Sequence, residues 1–97
     1  MSTSREAKYE ALTREALRLS TRAVQRLGYR EATEVARLAW DCRKAKGDDR
    51  IVLGMTLTRY SWSALVARGK QCEALCDQFA ALDVAWETTS TRRRRAA

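Results

Sequence analysis

Apolar residues recur every three or four positions along four stretches of the chain, which is the spacing of one face of an α-helix. The first stretch covers about residues 4 to 27 and the second about 30 to 46. The third covers about 49 to 68 and the fourth about 70 to 87. In the first stretch the apolar positions are Tyr9, Leu12, Ala16, Leu19, Ala23 and Leu27. In the fourth they are Cys72, Leu75, Cys76, Phe79, Leu82 and Trp86. The pattern predicts four helices.

Glycines separate the four stretches, at Gly28, Gly47 and Gly69. A glycine directly after a helix is typical of a left-handed residue that ends it. The connections are so short that consecutive helices must run antiparallel. We therefore predict an all-α fold of four antiparallel helices, arranged as two helical hairpins.

The third helix is predicted to lie at the centre, because two apolar stripes coexist on it. A helix that is apolar on more than one side is usually covered by several neighbours. One stripe is Leu53, Leu57, Tyr60 and Ala64, and the other is Ile51, Met55, Trp62 and Val66. Gly54 interrupts this helix, at a cost of about 1 kcal/mol relative to alanine. The glycine could mark a close helix crossing.

Composition supports one helical domain with a separate tail. The 97 residues include no proline and no histidine, and 45% are apolar. A chain of this length forms a single domain, which we place at residues 1–87. Residues 88–97, TTSTRRRRAA, show no apolar periodicity, and we predict a disordered, arginine-rich tail there.

The side chains argue against an enzyme and against a bound metal. Without histidine, the usual general base near neutral pH is missing. Cys72 and Cys76 would share one helical face, and Cys42 is the third thiol. Structural zinc sites take four nitrogen or sulfur ligands, so buried packing explains the cysteines better. We predict no catalytic residue, no cofactor and no metal.

No stretch predicts a membrane span, since the longest apolar runs have three or four residues and a span needs about 20. The polar residues 1–10 also lack the apolar region of a signal peptide. These features predict a cytoplasmic protein with no membrane partner.

Two segments of the chain resemble each other, EATEVARLAWD at residues 31–41 and EALCDQFAALD at residues 73–83. Four positions agree at an offset of 42 residues: Glu31 with Glu73, Ala32 with Ala74, Ala39 with Ala81, and Asp41 with Asp83. Each copy follows a glycine turn. This arrangement resembles the tetratricopeptide-repeat family, in its longer-helix form. The alternative is a plain four-helix bundle in which the alanine pattern is coincidental.

The resemblance implies a module that binds proteins, because the first helix of each hairpin in this family lines a concave face for a peptide or partner helix. The expected binding residues are Arg14, Arg18, Arg22, Arg59, Tyr60 and Trp62. Arginine and aromatic side chains concentrate binding energy at interfaces. Core packing is the alternative for Tyr60 and Trp62. An exposed end of the repeat stack also predicts a homo-oligomer.

Two functions follow from these patterns. The first is a non-enzymatic protein–protein interaction module, acting as an adaptor, a chaperone-like subunit or a regulatory subunit. The alternative is a small basic protein that associates with nucleic acid, since the net charge is +7 and arginines bind phosphates. The nucleic-acid partner would be bound by the basic tail, through Arg92, Arg93, Arg94 and Arg95, and by the row of arginines from Arg14 to Arg26.

Overall fold

The computed structural model describes residues 4–96, with side chains for residues 4–90. It contains four α-helices: α1 (Ser4–Val24), α2 (Tyr29–Lys44), α3 (Gly47–Val66) and α4 (Glu73–Ala96). A short 3-10 turn, Lys70–Cys72, precedes α4. Residues 4–96 include no strand, and the predicted all-α fold of four helices is confirmed.

The helices form a flattened arrangement rather than a square bundle. α1 and α3 run in the same direction and contact each other, while α2 and α4 each contact both of them. Within the described residues α2 and α4 make no contact with each other. The Cα atoms accordingly extend 40 × 25 × 16 Å. α3 contacts all three other helices, as expected of a central helix, and α1 does the same, so the two share the centre.

Small side chains occupy the buried face of α1 and the facing part of α3. On α1 the buried small residues are Thr13, Ala16, Ser20 and Ala23; on α3 they are Gly54, Thr58 and Ser61. The two helices meet where a Cβ on Gly54 would lie 3.4 Å from the Thr13 hydroxyl oxygen. Small residues let helix backbones approach closely, so these positions determine how near α1 and α3 can lie.

The indole of Trp86 fills the space that Gly54 leaves open. A Cβ on Gly54 would lie only 2.9 Å from Trp86 Cζ2. The ring is fully buried, and its Nε1 donates a hydrogen bond of 3.0 Å to Thr58 Oγ1. Thr58 in turn donates to the Gly54 carbonyl at 2.8 Å. Tyr9 of α1 stacks on the indole with ring centroids 6.1 Å apart. The predicted close crossing at Gly54 is confirmed, and it joins three helices.

Two of the three turn glycines have a positive φ, which side chains disfavour. Gly47 has a φ of +61° and Gly69 a φ of +85°. Gly28 differs, with a φ of −69° and extended backbone. The reason is that α1 ends at Val24, earlier than predicted, and residues 25–28 make the turn. Gly28 therefore precedes α2 as its N-cap residue and does not end α1.

The last helix, α4, extends into the segment predicted as the tail. The helix does not stop near Glu87 but continues to Ala96, while residue 97 lies outside the described residues. Thr88 and Thr89 donate hydrogen bonds to the carbonyls of Val84 and Ala85. No glycine or proline interrupts this segment, and arginine is a good helix former. The backbone of α4 therefore stays helical beyond Glu87, although residues 88–96 show no apolar periodicity.

The two alanine pairs of the internal resemblance occupy different environments. Ala39 is buried and Ala32 half-buried in α2, whereas Ala74 and Ala81 are exposed in α4. α2 and α4 nevertheless share the same two neighbours, α1 and α3. The resemblance to tetratricopeptide repeats stays a prediction.

A methyl group at position 54 is expected to destabilise the fold. Gly54→Ala would gain about 1 kcal/mol of helix propensity, but its Cβ would collide with a buried ring that has no space to move. Overpacking of this kind costs about 1–3 kcal/mol, so urea unfolding should show a net loss. Ser63→Ala, at an exposed site of the same helix, is the control and should be neutral or slightly stabilising. A Gly54→Ala variant as stable as the Ser63→Ala variant would contradict the close crossing.

Removal of two different buried hydroxyl groups of α3 is expected to have opposite effects on the stability of the fold. Thr58→Val keeps the side-chain shape but leaves the Trp86 N–H without its acceptor, which should cost about 1–3 kcal/mol. Ser61 Oγ is buried without a hydrogen-bond partner among the described groups. Ser61→Ala should therefore be neutral or stabilising. Thermal unfolding of both variants tests the assignment, and equal losses of stability would contradict it.

Candidate functional site

The predicted partner-binding residues divide between two opposite sides of the molecule. Arg18 lies five residues after Thr13 on α1, and Arg59 lies five residues after Gly54 on α3. Five residues turn a helix by about 140° away from the starting position. Because Thr13 and Gly54 face each other, Arg18 and Arg59 point away from the α1–α3 contact in opposite directions. One partner helix cannot contact both.

The arginine row of α1 winds around its helix and does not form one stripe. Each step of four residues advances about 40° around the axis. Arg14 lies 3.6 Å from Glu10, and Arg18 forms an ion pair with Glu15. Arg22 and Arg26 line a small cavity of about 100 Å³ beside Gln71 and Leu75. The first half of the row therefore pairs within α1, and the row ends next to α4.

Arg59 connects α3 to α4 through two ion pairs. Its Nε donates to Asp83 Oδ1 at 3.2 Å, and its Nη2 lies 3.4 Å from Glu87 Oε1. The guanidinium side chain remains 55% exposed. Trp62, one turn after Arg59, is half-buried against the core, and so is Tyr60. Trp62 follows Tyr60 by two positions, which is a rotation of about 200° around the helix axis. The two aromatic rings therefore lie on different faces of α3.

Exposed valines surround Arg59, and the sequence analysis did not single them out. Val52 and Val66 stand seven residues before and after Arg59, and they are 59% and 56% exposed. Val84 of α4, one turn before Glu87, is 64% exposed. We call the surface formed by Val52, Arg59, Trp62, Val66, Val84 and Glu87 the α3–α4 face. The spacing of seven residues between Val52, Arg59 and Val66 was the signal in the sequence that could have revealed this face.

A second exposed apolar group lies on α2, away from the α3–α4 face. Tyr29 is 89% exposed and Trp40 56% exposed. The ammonium of Lys44 lies 4.6 Å from the centroid of the Trp40 ring. That distance is typical of a cation–π contact.

Arg50 joins three helices at the end of the molecule where α3 begins. It donates to both carboxylate oxygens of Glu10 on α1, at 3.2 and 2.7 Å. It also donates to the Cys42 carbonyl near the end of α2, at 2.9 Å. A carbonyl in the last turn of a helix has no partner within the helix, so Arg50 caps α2. The hydrogen bond from Arg50 is the main reason that the pKa of Glu10 lies below its ordinary value.

An open cleft of about 340 Å³ lies beside this ion pair, between the first halves of α1 and α3. Its lining residues are Glu6, Tyr9, Glu10, Thr13, Gly47, Asp48, Arg50 and Ile51. Three carboxylates and one guanidinium thus surround the cleft. The Arg50 and Glu10 groups bind each other at its edge.

Near its end, α4 approaches the first turns of α1 at Thr89. Thr89 shares a surface cleft of about 190 Å³ with Ser4, Arg5 and Lys8. The four arginines Arg92 to Arg95 follow within the same helix. The sequence analysis missed Arg5 and Lys8, because nothing in their spacing shows that the two ends of the chain meet.

The three cysteines carry free thiols. Cys42 and Cys72 are buried, and Cys76 is half-buried. Burial raises the pKa of the Cys42 and Cys76 thiols, so both stay protonated and weakly nucleophilic at neutral pH. The described residues contain no group of three or more histidine, cysteine, aspartate or glutamate side chains placed to hold a metal.

Comparison with known protein families, curated proteins and solved structures finds no match for this chain. No helix within residues 4–96 has the length and apolar character that crossing a membrane requires.

The Glu10–Arg50 pair is expected to make stability depend on pH in acid. Because the folded pKa of Glu10 is below its ordinary value of 4.5, the pair stabilises the fold above pH 4.5 and loses this effect as the pH falls through the folded pKa. The difference in the free energy of unfolding between wild type and Glu10→Gln should thus be largest near pH 7 and shrink below pH 4.5. Urea unfolding of both proteins at several pH values measures this difference.

Glu34→Gln is the control for this experiment. Glu34 pairs only with Arg37 of its own helix, and exposed pairs within a helix contribute little. Its substitution should change stability less than Glu10→Gln at every pH. A wild-type advantage over Glu10→Gln that stays constant from neutral to acid pH would contradict the role of the pair.

Proposed function

We propose that the chain is a non-enzymatic protein–protein interaction module whose α3–α4 face binds a partner helix. The observation that carries this proposal is the group of exposed valines around Arg59. Single exposed apolar residues are common on protein surfaces, but Val52 and Val66 lie on the same stripe of α3 as Arg59, about 10 Å before and after it, and Val84 is exposed on the adjacent helix. Contiguous apolar surface with a polar rim is typical of interaction sites.

The ion pairs of Arg59 support binding rather than folding. Exposed ion pairs contribute only about 0–1 kcal/mol to stability, and Arg59 is more than half exposed. Asp83 and Glu87 do hold the guanidinium in one position. An arginine fixed in this way, beside the large ring of Trp62, is the combination that concentrates binding energy in interfaces.

The occupant that the α3–α4 face fits is α3 of a second copy. The spacing of Val52, Arg59 and Val66 is symmetric about Arg59. A two-fold axis near Arg59 would place Val52 of one copy against Val66 of the other. The face also carries both a cation and carboxylates, so it is complementary to itself, as an isologous dimer interface requires.

The size of the α3–α4 face suits a weak dimer. A helix of 20 residues is about 30 Å long, and two adjacent helices present a width of about 20 Å. The face thus offers about 600 Å² per copy, or about 1,200 Å² in total, the lower limit for specific interfaces. We infer an association that concentration controls, which suits an adaptor, a chaperone-like subunit or a regulatory subunit.

Two further expectations belong to this proposal. The resemblance to tetratricopeptide repeats implies that the first helix of each hairpin binds the partner, and α3 holds that position in the second hairpin. A cytoplasmic location agrees with three free thiols, because disulfides are rare in that compartment.

Charged substitutions on the α3–α4 face are expected to abolish dimerisation. The double variant Val52→Glu with Val66→Glu puts four carboxylates into the proposed dimer interface, so sedimentation equilibrium should show monomers at concentrations where the wild type dimerises. The matched control is Tyr29→Glu with Trp40→Glu, which makes the same charge change at exposed apolar residues of α2. It should dimerise like the wild type, and all three chains should melt at similar temperatures.

Two results would contradict the proposal that a second copy of the chain binds the α3–α4 face. One is a wild type that sediments as a monomer throughout the concentration range. The other is a loss of dimerisation in the α2 control but not in the α3 variant, which would assign the contact to Tyr29 and Trp40.

A further inference from the structure

A small polar cavity lies where the end of α1 meets the first turn of α4. The two helices run antiparallel, because Tyr9 stacks on Trp86 while Arg26, just past the end of α1, lies beside Leu75 at the start of α4. The cavity has a volume of about 100 Å³, and a water molecule in the liquid takes about 30 Å³. There is therefore room for one tetrahedral oxyanion.

Hydrogen-bond donors line this cavity from the two segments that meet there. Arg22 and Arg26 contribute guanidinium groups, and Gln25 and Gln71 contribute side-chain amides. Gln71 Nε2 also donates to the Arg68 carbonyl at 3.1 Å. This bond fixes the amide at the cavity, while its second hydrogen remains available to a ligand. Donors that are far apart in the sequence therefore converge on one small volume.

The two guanidinium groups have no carboxylate partner within the described residues. Neither Arg22 nor Arg26 forms an ion pair there, and no described residue that lines the cavity is acidic. Glu73 is exposed and lies outside the lining. By contrast, ion pairs with carboxylates are made by Arg14, Arg18, Arg37, Arg50 and Arg59. Two like charges beside one cavity repel each other, and a bound anion would remove that repulsion.

Charge and the number of donors favour a phosphate dianion as the ligand. A phosphate monoester carries a charge of about −1.5 to −2 near pH 7 and has three strong acceptor oxygens, which matches two guanidinium groups and two amides. A guanidinium binds phosphate oxygens through two parallel hydrogen bonds. A carboxylate carries a single charge on two oxygens, so it would leave the charge of one guanidinium uncompensated.

We propose that Arg22 and Arg26, together with the amides of Gln25 and Gln71, bind a phosphate dianion in this cavity. The ligand is inorganic phosphate or the phosphate monoester of a larger molecule, which share this chemistry. The site lies at the start of α4, whereas the α3–α4 face includes Val84, further along that helix. The inference does not depend on the proposed dimer.

Titration of the protein with phenyl phosphate, followed by NMR, tests the class of ligand. At about pH 8, above the second pKa of about 6 of a phosphate monoester, the side-chain amide signals of Gln25 and Gln71 should shift and saturate. Benzoate, which carries a carboxylate on the same ring, should bind at least about tenfold more weakly, since it forms fewer charge-assisted hydrogen bonds.

A parallel titration with inorganic phosphate separates the two sources of the ligand. An affinity similar to that of phenyl phosphate supports the free anion, and a lower affinity supports a monoester. Equal affinities for benzoate and phenyl phosphate, or no saturable shift of the two amides with either phosphate, would overturn the proposal.

Removal of both guanidinium groups separates a role in binding from a role in folding. Arg22→Gln with Arg26→Gln should lower the affinity for phenyl phosphate at least about tenfold, because hydrogen bonds to a charged ligand are lost. Without ligand, this variant should melt at the wild-type temperature or above it, since two repelling charges are gone. Wild-type affinity in this variant would overturn the site, and a lower melting temperature without ligand would assign the arginines to the fold instead.

The matched control makes the same charge change at the opposite end of the molecule. Arg5→Gln with Arg43→Gln replaces exposed residues in the first turn of α1 and the last turn of α2. Because salt screens charges beyond about 10 Å, the affinity for phenyl phosphate should stay close to that of the wild type. An equal loss of affinity in this control would show that net charge alone attracts the ligand, and would contradict a defined site.

A variant of unchanged charge tests whether the ligand lies inside the cavity. Ala74 lines it, and Ala74→Leu would fill part of the volume while leaving every donor in place. The affinity for phenyl phosphate should fall at least about tenfold, because the leucine side chain and the ligand cannot occupy the same space. Ala81→Leu, at an exposed position seven residues further along α4, is the control and should bind like the wild type. Unchanged affinity in an Ala74→Leu chain that circular dichroism shows to be folded would overturn the assignment to this cavity.

Discussion

The close approach of α1 and α3 at Gly54 determines where everything else in the molecule can lie. Gly54 has no side chain, and the Trp86 indole occupies the space that a Cβ would need. Because Thr58 accepts the indole N–H and Tyr9 stacks on the ring, three helices share one buried contact. A large residue at position 54 would separate α3 from α4 and would leave the polar N–H of a buried tryptophan without a partner.

This contact also explains the flat shape and its consequences for function. When α1 and α3 lie close together, α2 and α4 are held on opposite flanks and do not touch. The molecule then exposes two broad sides, one with the arginine row of α1 and one with Arg59 and its valines.

Much of the fold could be predicted from the sequence, because burial leaves a periodic pattern. Leu75, Phe79, Leu82 and Trp86 are all buried, as their spacing indicates. Periodicity shows which face of a helix is covered but not which helix covers it, so the contact of α4 with α1 was not foreseen. The helical course of residues 88–96 could not be predicted in this way, because the segment has no apolar period.

The candidate sites were less accessible to sequence reasoning. Arg59 and Trp62 were selected by residue type, and both lie on the α3–α4 face. Arg14 and Arg18 were selected in the same way, but the turn of the helix places them on the other side. Arg5 and Thr89 are 84 residues apart in the chain, and only the antiparallel packing of α1 and α4 brings them together. The alanine resemblance did not predict burial, since Ala74 and Ala81 are exposed.

Hydrogen exchange of the three indole N–H groups, followed by NMR, tests the central contact most directly. The Trp86 N–H is buried and bonded to Thr58, whereas Trp40 is exposed and Trp62 half-buried. We expect one indole signal to exchange only through global unfolding, with a free energy equal to that from urea denaturation, and to show contacts with Tyr9 and Gly54 protons. If all three indoles exchange rapidly, or if the slowest one lacks those contacts, Trp86 does not hold α1, α3 and α4 together.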